Sequence, residues 1–154
     1  MSNRTRGRQR RIGMSVKPLG ALAQKVLQRL GQPETELGLV LVNDRQIRRL
    51  NKKYRGIDSP TDVLSFTLSL DSKTIKGKGR TPPPLLGDVV ISLETARRQA
   101  REEGRTLHQE VGGLLIHGIL HLLGFDHEEA RDARRMRRKE RELARELGIA
   151  CWDD

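Results

Sequence analysis

The sequence predicts a small β-sheet with helices packed on it, α+β or α/β by pattern. Three observations carry this reading. Glu36–Asn43, Val63–Leu68 and Leu85–Ile91 are short runs dense in apolar residues, as strands are. Between and after them, apolar residues recur at helical period. The connecting stretches are polar and punctuated by Gly and Pro, and no internal repeat is visible. The 154 residues suit one domain, residues 1–154, long enough to bury a core without staples.

Taken in order, residues 1–13 form a basic arm holding Arg4, Arg6, Arg8, Arg10 and Arg11 and no acid. An arm with so little to bury is expected to be flexible; a short edge strand around Arg10–Val16 is the alternative. A helix should begin near Lys17-Pro18, because proline is tolerated in a first turn. Leu19, Leu22, Ala23, Val26, Leu27 and Leu30 make its apolar stripe, and Gly31 ends it. The strand at Glu36–Asn43 follows. Asp44 is a candidate N-cap for the next helix. That helix turns Ile47 and Leu50 inward and leaves Arg45, Arg48, Arg49, Lys52 and Lys53 on its other face.

A polar loop, 54–62, enters the strand at Val63–Leu68. Residues 71–84 carry Lys73, Lys76, Lys78, Arg80 and Pro82-Pro83-Pro84, and read as a long basic loop, either a functional flap or an insertion. After the last strand, Ser92 can cap a helix running to about Glu103, where Gly104 stops it. Thr106 and Gln109 have the spacing of a capping box for a long apolar helix. A charged helix then spans Glu128–Leu147, with Ala133, Met136, Leu143 and Leu147 as its thin apolar side and Gly148 beyond its end. Its mixed charges read as a solvated face.

Composition bounds the function. Thirty Lys+Arg against 20 Asp+Glu give a net charge of +10. That balance favours a polyanionic partner, nucleic acid or an anionic membrane surface, over an uncharged one; a surface rich in ion pairs is the other reading. No apolar run approaches the roughly 18 residues of a membrane span, and the basic N-terminus lacks the apolar region of a secretory signal. The single cysteine, Cys151, excludes an intramolecular disulfide and fits a reducing cytoplasm.

Three of the four histidines fall within the eleven residues from His117 to His127, as H-x-x-x-H-x-x-G-x-x-H. On a helix, His117 and His121 leave the same face one turn apart. Gly124 can end that helix at positive φ and let the chain bring His127 back as a third ligand. Three neutral nitrogens at this spacing suit one Zn2+ ion and leave its fourth position open for water. His108 lies outside the spacing and reads as a surface residue. Metallopeptidases of this pattern carry Glu directly after the first His, as general base. Here that position is Gly118, which cannot accept a proton, so ordinary peptide hydrolysis is disfavoured.

The segments Y-R-G-I-D-S-P-T-D-V-L-S-F (54–66), G-D-V-V-I-S (87–92) and H-G-I-L-H-L-L-G-F-D-H (117–127) resemble the YbeY family of bacterial metal-dependent endoribonucleases. The resemblance runs roughly from Glu36 to Gly148 and leaves the arm, the 71–84 loop and the tail without a diagnostic match. It implies the α+β choice, with a small mixed sheet of about four strands and about five helices. It implies zinc on His117, His121 and His127, at the end of the long helix and in the following turn. It further implies single-strand-specific RNA cleavage, a role in rRNA maturation at the small-subunit 3′ end, ribosome quality control, and rRNA and ribosomal particles as partners in the cytoplasm, with no membrane. Arg55 matches the family's functionally important arginine. By its residue type it could clamp a phosphate bidentately and stabilise developing charge, or it could make a loop salt bridge to Asp58 or Asp62.

The proton acceptor stays open. Asp126 suits a ligand-orienting hydrogen bond or a cap as well as catalysis, and Asp88 suits turn chemistry as well as an approach to the site. Water or the RNA 2′-OH could be the nucleophile. Two further classes stand beside the nuclease: a metzincin-like zinc hydrolase with its base supplied elsewhere, and a non-catalytic RNA-binding protein with a structural zinc. The second would need a fourth protein ligand, from His108 or a carboxylate.

Overall fold

The computed structural model describes residues 4–5, 17–67, 85–125 and 129–149. Among these, the chain order is β1 (Arg4–Thr5), α1 (Lys17–Arg29), β2 (Glu36–Val42), α2 (Asp44–Arg55), β3 (Val63–Thr67), β4 (Leu85–Ser92), α3 (Leu93–Glu103), α4 (Leu107–Leu122) and α5 (Ala130–Glu146). The four strands form one sheet in the order β1-β2-β4-β3. β1, β2 and β4 run parallel, and β3 pairs antiparallel with β4. The fold is α+β with a mixed sheet, as expected. The first strand lies inside the basic arm at Arg4–Thr5, and the alternative strand at Arg10–Val16 lies outside the described residues, as does the 71–84 loop.

Strand alternation divides the two faces of the sheet. Leu37, Leu39, Val89 and Ile91 point into the larger core, with Leu19, Ala23, Val26 and Leu27 of α1, Leu93 and Ala96 of α3, and Met136 and Leu143 of α5. Val42, Leu64 and Val90 point to the other face and pack with Ile47 of α2. Helices therefore cover one face in bulk, while α2 covers the other.

α4 is the centre of the larger core. It is apolar nearly all round, which a helix can be only when enclosed. Leu115, Ile119 and Leu120 are wholly buried, and burial on this scale stabilises by about 1.5–3 kcal/mol per side chain. No helix among the described residues is long and apolar enough to cross a membrane.

The caps fix where each helix starts. Thr106 Oγ1 accepts from Gln109 N–H at 3.1 Å and Gln109 Oε1 accepts from Thr106 N–H at 2.8 Å, the expected capping box of α4. Ser92 caps α3 as expected, and Gly104 ends it at φ 69°. The cap of α2 is a correction: it is Asn43, not Asp44. Asn43 Oδ1 accepts from Gln46 N–H at 2.9 Å and Gln46 Oε1 accepts from Asn43 N–H at 3.0 Å. Asn and Asp cap about equally well, and Gln46 at the third helical position selects Asn43. Asp44 instead accepts from Ser92 Oγ and Thr95 Oγ1, both at 2.6 Å, and from Arg98 Nη1 at 2.9 Å. It bolts the start of α2 to the start of α3.

Candidate metal centre

His117 and His121 stand one turn apart near the end of α4, with ring centroids 4.8 Å apart and planes at 74°. Both are half-buried. Gly124, at φ 97°, ends the helix: its N–H donates to His121 O at 3.0 Å and Phe125 N–H donates to Leu120 O at 2.9 Å. This is the pairing of a Schellman ending, in which the left-handed residue reverses the chain. Asp126 and His127 lie outside the described residues. On the far side of the turn, Arg135 of α5 stacks over Phe125, its guanidinium carbon 5.5 Å from the ring centre.

Gly118, between the two histidines, faces the sheet. A Cβ built there would lie 2.7 Å from Val89 Cγ1 and 3.2 Å from Ser65 Oγ. Ser65 Oγ also donates to Gly118 O at 3.0 Å. Glycine is thus what lets α4 press onto β4 and β3. A glutamate at this position would enter the helix–sheet interface, so the fold itself excludes the peptidase base from that place.

α5 returns alongside α4 and brings Glu140 to His117, whose Nδ1 meets Glu140 Oε2. The sequence reading missed Glu140 because α5 looked like a solvated helix. Its signal was present: Glu140 falls in register with Met136 and Leu143, inside the apolar stripe rather than opposite it.

α4 and α2 lie on opposite faces of the sheet, and both reach β3, which ends the sheet among the described residues. A groove of about 780 Å³ runs there. Tyr54 and Arg55 from the end of α2, Thr61 to Val63, Ser65 to Thr67, and His117 and His121 line it. Two histidines and the arginine singled out from sequence therefore share one groove. Asp58 is held by Arg48 Nε at 2.8 Å, with Lys52 Nζ at 3.9 Å. Asp62 Oδ1 accepts from Val63 N–H at 2.8 Å and its Oδ2 accepts from Gln99 Nε2 at 3.3 Å. Both carboxylates suggested as salt-bridge partners of Arg55 are thus taken. Arg55 is exposed and makes no ion pair among the described residues.

Tyr54 was not singled out from sequence. It is 58 % exposed, stacks edge-on against Phe66 at 5.2 Å between centroids, and has Lys53 Nζ 5.2 Å from its ring centre. Asp88 is a correction of the opposite kind. It shares strand parity with Val90, on the α2 face, and lies against Gly38 of β2. It is not among the residues that line the groove. His108 is exposed, as expected.

Two imidazoles at i, i+4 can both turn to one zinc ion, with a carboxylate orienting one of them, though among the described residues no group of three possible ligands comes together. The fold and groove together define a class: an α+β protein with a histidine-bearing helix beside a groove that offers a cation and an aromatic face. A family model described as Endoribonuclease YbeY matches residues 4–148. Relatives called endoribonuclease YbeY include one from Anaeromyxobacter sp., 54% identical over 82% of this chain and 62% of its own length. One from Heliobacterium modesticaldum is 46% identical over 85% of this chain and 82% of its own length. One from Geobacter metallireducens is 42% identical over 88% and 89%. The chain thus spans less than two thirds of the Anaeromyxobacter relative and most of the other two. A solution structure from Thermotoga maritima matches with TM-score 0.57 at 24% identity, over 96% of this chain and 92% of that one, which speaks for the fold. The chain belongs to the endoribonuclease YbeY family. The family match begins at residue 4, well before Glu36, where the resemblance was first legible.

Proposed function

We propose that this protein is a zinc-dependent endoribonuclease that cuts single-stranded RNA, acting in the cytoplasm on rRNA, at the small-subunit 3′ end, and in ribosome quality control. The relatives' names supply the reaction class. The observation that carries the reading for this chain is the shared groove, where His117, His121, Arg55 and Tyr54 come together. His117 and His121, with His127, would hold zinc. Zinc, when bound, supplies Lewis acidity beside the scissile phosphate.

The chain's own groups do the rest. Arg55 presents five donors in a planar fork and grips the phosphate bidentately, opposing charge that builds on its oxygens. The exposed ring of Tyr54 offers a stacking face to an unpaired base, which a base inside a duplex cannot use. Arg45, Arg49 and Lys53 continue the positive surface along α2 from the groove, while Arg48 and Lys52 are partly neutralised by Asp58. RNA affinity on such a surface falls steeply with salt. Gly118 speaks against the peptidase alternative, for the packing reason given above.

The test is cleavage of single-stranded rRNA by purified protein, with and without chelator, beside a His121→Ala control that exposes contaminating ribonuclease. Cleavage should vanish with chelator, return with zinc and be absent in the variant. Cleavage that survives both would overturn the proposal.

A further inference from the structure

Glu140 stands where an apolar residue would serve packing better. Its neighbours along the inner face of α5 are Met136 and Leu143, each 1% exposed. The Glu140 side chain is itself only 13% exposed, and that of His117 is 27% exposed. Removing a carboxylate from water is costly unless it is hydrogen-bonded. Among the described residues, the partner of this carboxylate is Nδ1 of His117. A leucine would fill the same position without that cost, so packing alone does not account for a glutamate here.

We propose that Glu140 is the positioning residue of the metal centre, holding His117 in the tautomer and ring orientation that ligation requires. The inference rests on the metal reading above. An ionised carboxylate only accepts hydrogen bonds. The Nδ1 it faces must therefore carry the hydrogen, which places the ring's lone pair on Nε2. A neutral imidazole ligates through the nitrogen without the proton, and the bond made by the other nitrogen decides which that is. Glu140 thus assigns Nε2 of His117 as the ligating atom. It also couples the centre to α5, an element whose sequence lies beyond the histidine motif.

The test uses the full chain and two variants. Glu140→Leu keeps the bulk and removes the acceptor. Glu140→Gln keeps the bulk and can still accept from Nδ1–H through its amide oxygen. Zinc affinity is measured by competition with a chromophoric chelator, after circular dichroism shows each variant folded. Glu140→Leu should bind zinc about 10–100-fold more weakly, and Glu140→Gln should recover most of that loss. A merely structural ion pair predicts no such order, since replacing one with apolar bulk is often neutral. Wild-type affinity in a folded Glu140→Leu variant would overturn the proposal and leave the zinc reading standing. Failure of the wild-type chain to bind zinc would overturn both. Nitrogen-15 NMR of the histidines in the metal-free wild-type chain needs no variant and decides the case if the variants do not fold. It should show His117 with its proton on Nδ1, and a proton on Nε2 would refute the assignment.

Discussion

Replacing Gly118 by alanine adds one methyl group at the point where α4 meets β4. The added carbon would lie 2.7 Å from Val89 Cγ1, 3.1 Å from Val89 Cγ2 and 3.2 Å from Ser65 Oγ. Carbon pairs prefer about 3.5–4.0 Å, so the closest contact overlaps by about 1 Å. Val89 is wholly buried, and its β-branched side chain has little rotamer freedom to yield. The helix must retreat instead, stretching the 3.0 Å hydrogen bond from Ser65 Oγ to Gly118 O. Overpacking of this kind costs about 1–3 kcal/mol. Alanine returns about 1 kcal/mol of helix propensity over glycine. The net effect should be a loss of up to about 2 kcal/mol, by difference of the two. With a urea slope of about 1–3 kcal/mol/M, each kcal/mol lost lowers the midpoint by about 0.3–1 M. Urea unfolding of the metal-free protein measures it. Gly118→Glu should fare worse, because its carboxylate enters the same interface without a partner. A Gly118→Ala variant stabilised by about 1 kcal/mol would mean that propensity acts unopposed, and would refute the close approach of α4 to β4.

Arg55→Ala should lower RNA cleavage by about 10²–10³-fold, the usual cost of one lost charge-stabilising donor, with zinc content unchanged; full activity would remove Arg55 from the chemistry. Tyr54→Ala should weaken single-stranded RNA binding by about 1–3 kcal/mol, and Tyr54→Phe should keep it; equal binding by all three proteins would rule out stacking. Asp44 gives a pH dependence. Burial pushes its carboxyl up, but hydrogen bonds from Ser92, Thr95 and Arg98, with the Arg98 charge, outweigh that and hold it below the ordinary 3.8. A lowered folded value means stability that is present above 3.8 and lost as pH falls through the folded value. The stability difference between wild type and Asp44→Asn in urea should therefore shrink below that pH, and a difference that grew on acidification would contradict the assignment.

The local features were legible because their causes are local. Thr106 with Gln109, Ser92, Gly104 and Gly124 each act within a few residues, and each does what its type and spacing require. Asn43 was legible too, had Gln46 been weighed against Asp44. The histidine pair followed from helix period alone. What could not be read is what the strand order decides. Arg55 and His117 lie on elements from opposite faces of the sheet, and they share a groove because β3 is placed last beside β4. Asp88 looked close to the site in sequence, yet strand parity sends it to the far face. Glu140 is 23 residues from His117, and only the packing of α5 on α4 joins them. Gly118 was read as a missing base; its further meaning, a contact surface for Val89, needed the sheet beneath it.

These placements narrow the proton acceptor. Among the described residues, the carboxylates near the centre are already engaged: Asp62 by Val63 N–H and Gln99, Glu140 by His117. An acceptor must be unencumbered at the moment it takes a proton, so neither is suited to serve as general base without breaking a bond that holds the site together. Asp62 reads better as the residue that fixes the start of β3, whose backbone O also accepts from Ser92 N–H at 2.9 Å. The product ends then become the informative measurement. Attack by the RNA's own 2′-OH leaves a 2′,3′-cyclic phosphate, and direct hydrolysis by water passes through none. RNA with a 2′-deoxy nucleotide at the cut separates the routes: cleavage should persist if water attacks and should stop if the 2′-OH does. If Asp62→Asn, folded and zinc-loaded, lost cleavage while keeping its RNA affinity, Asp62 would be the acceptor after all, and the positioning role argued for it would fail.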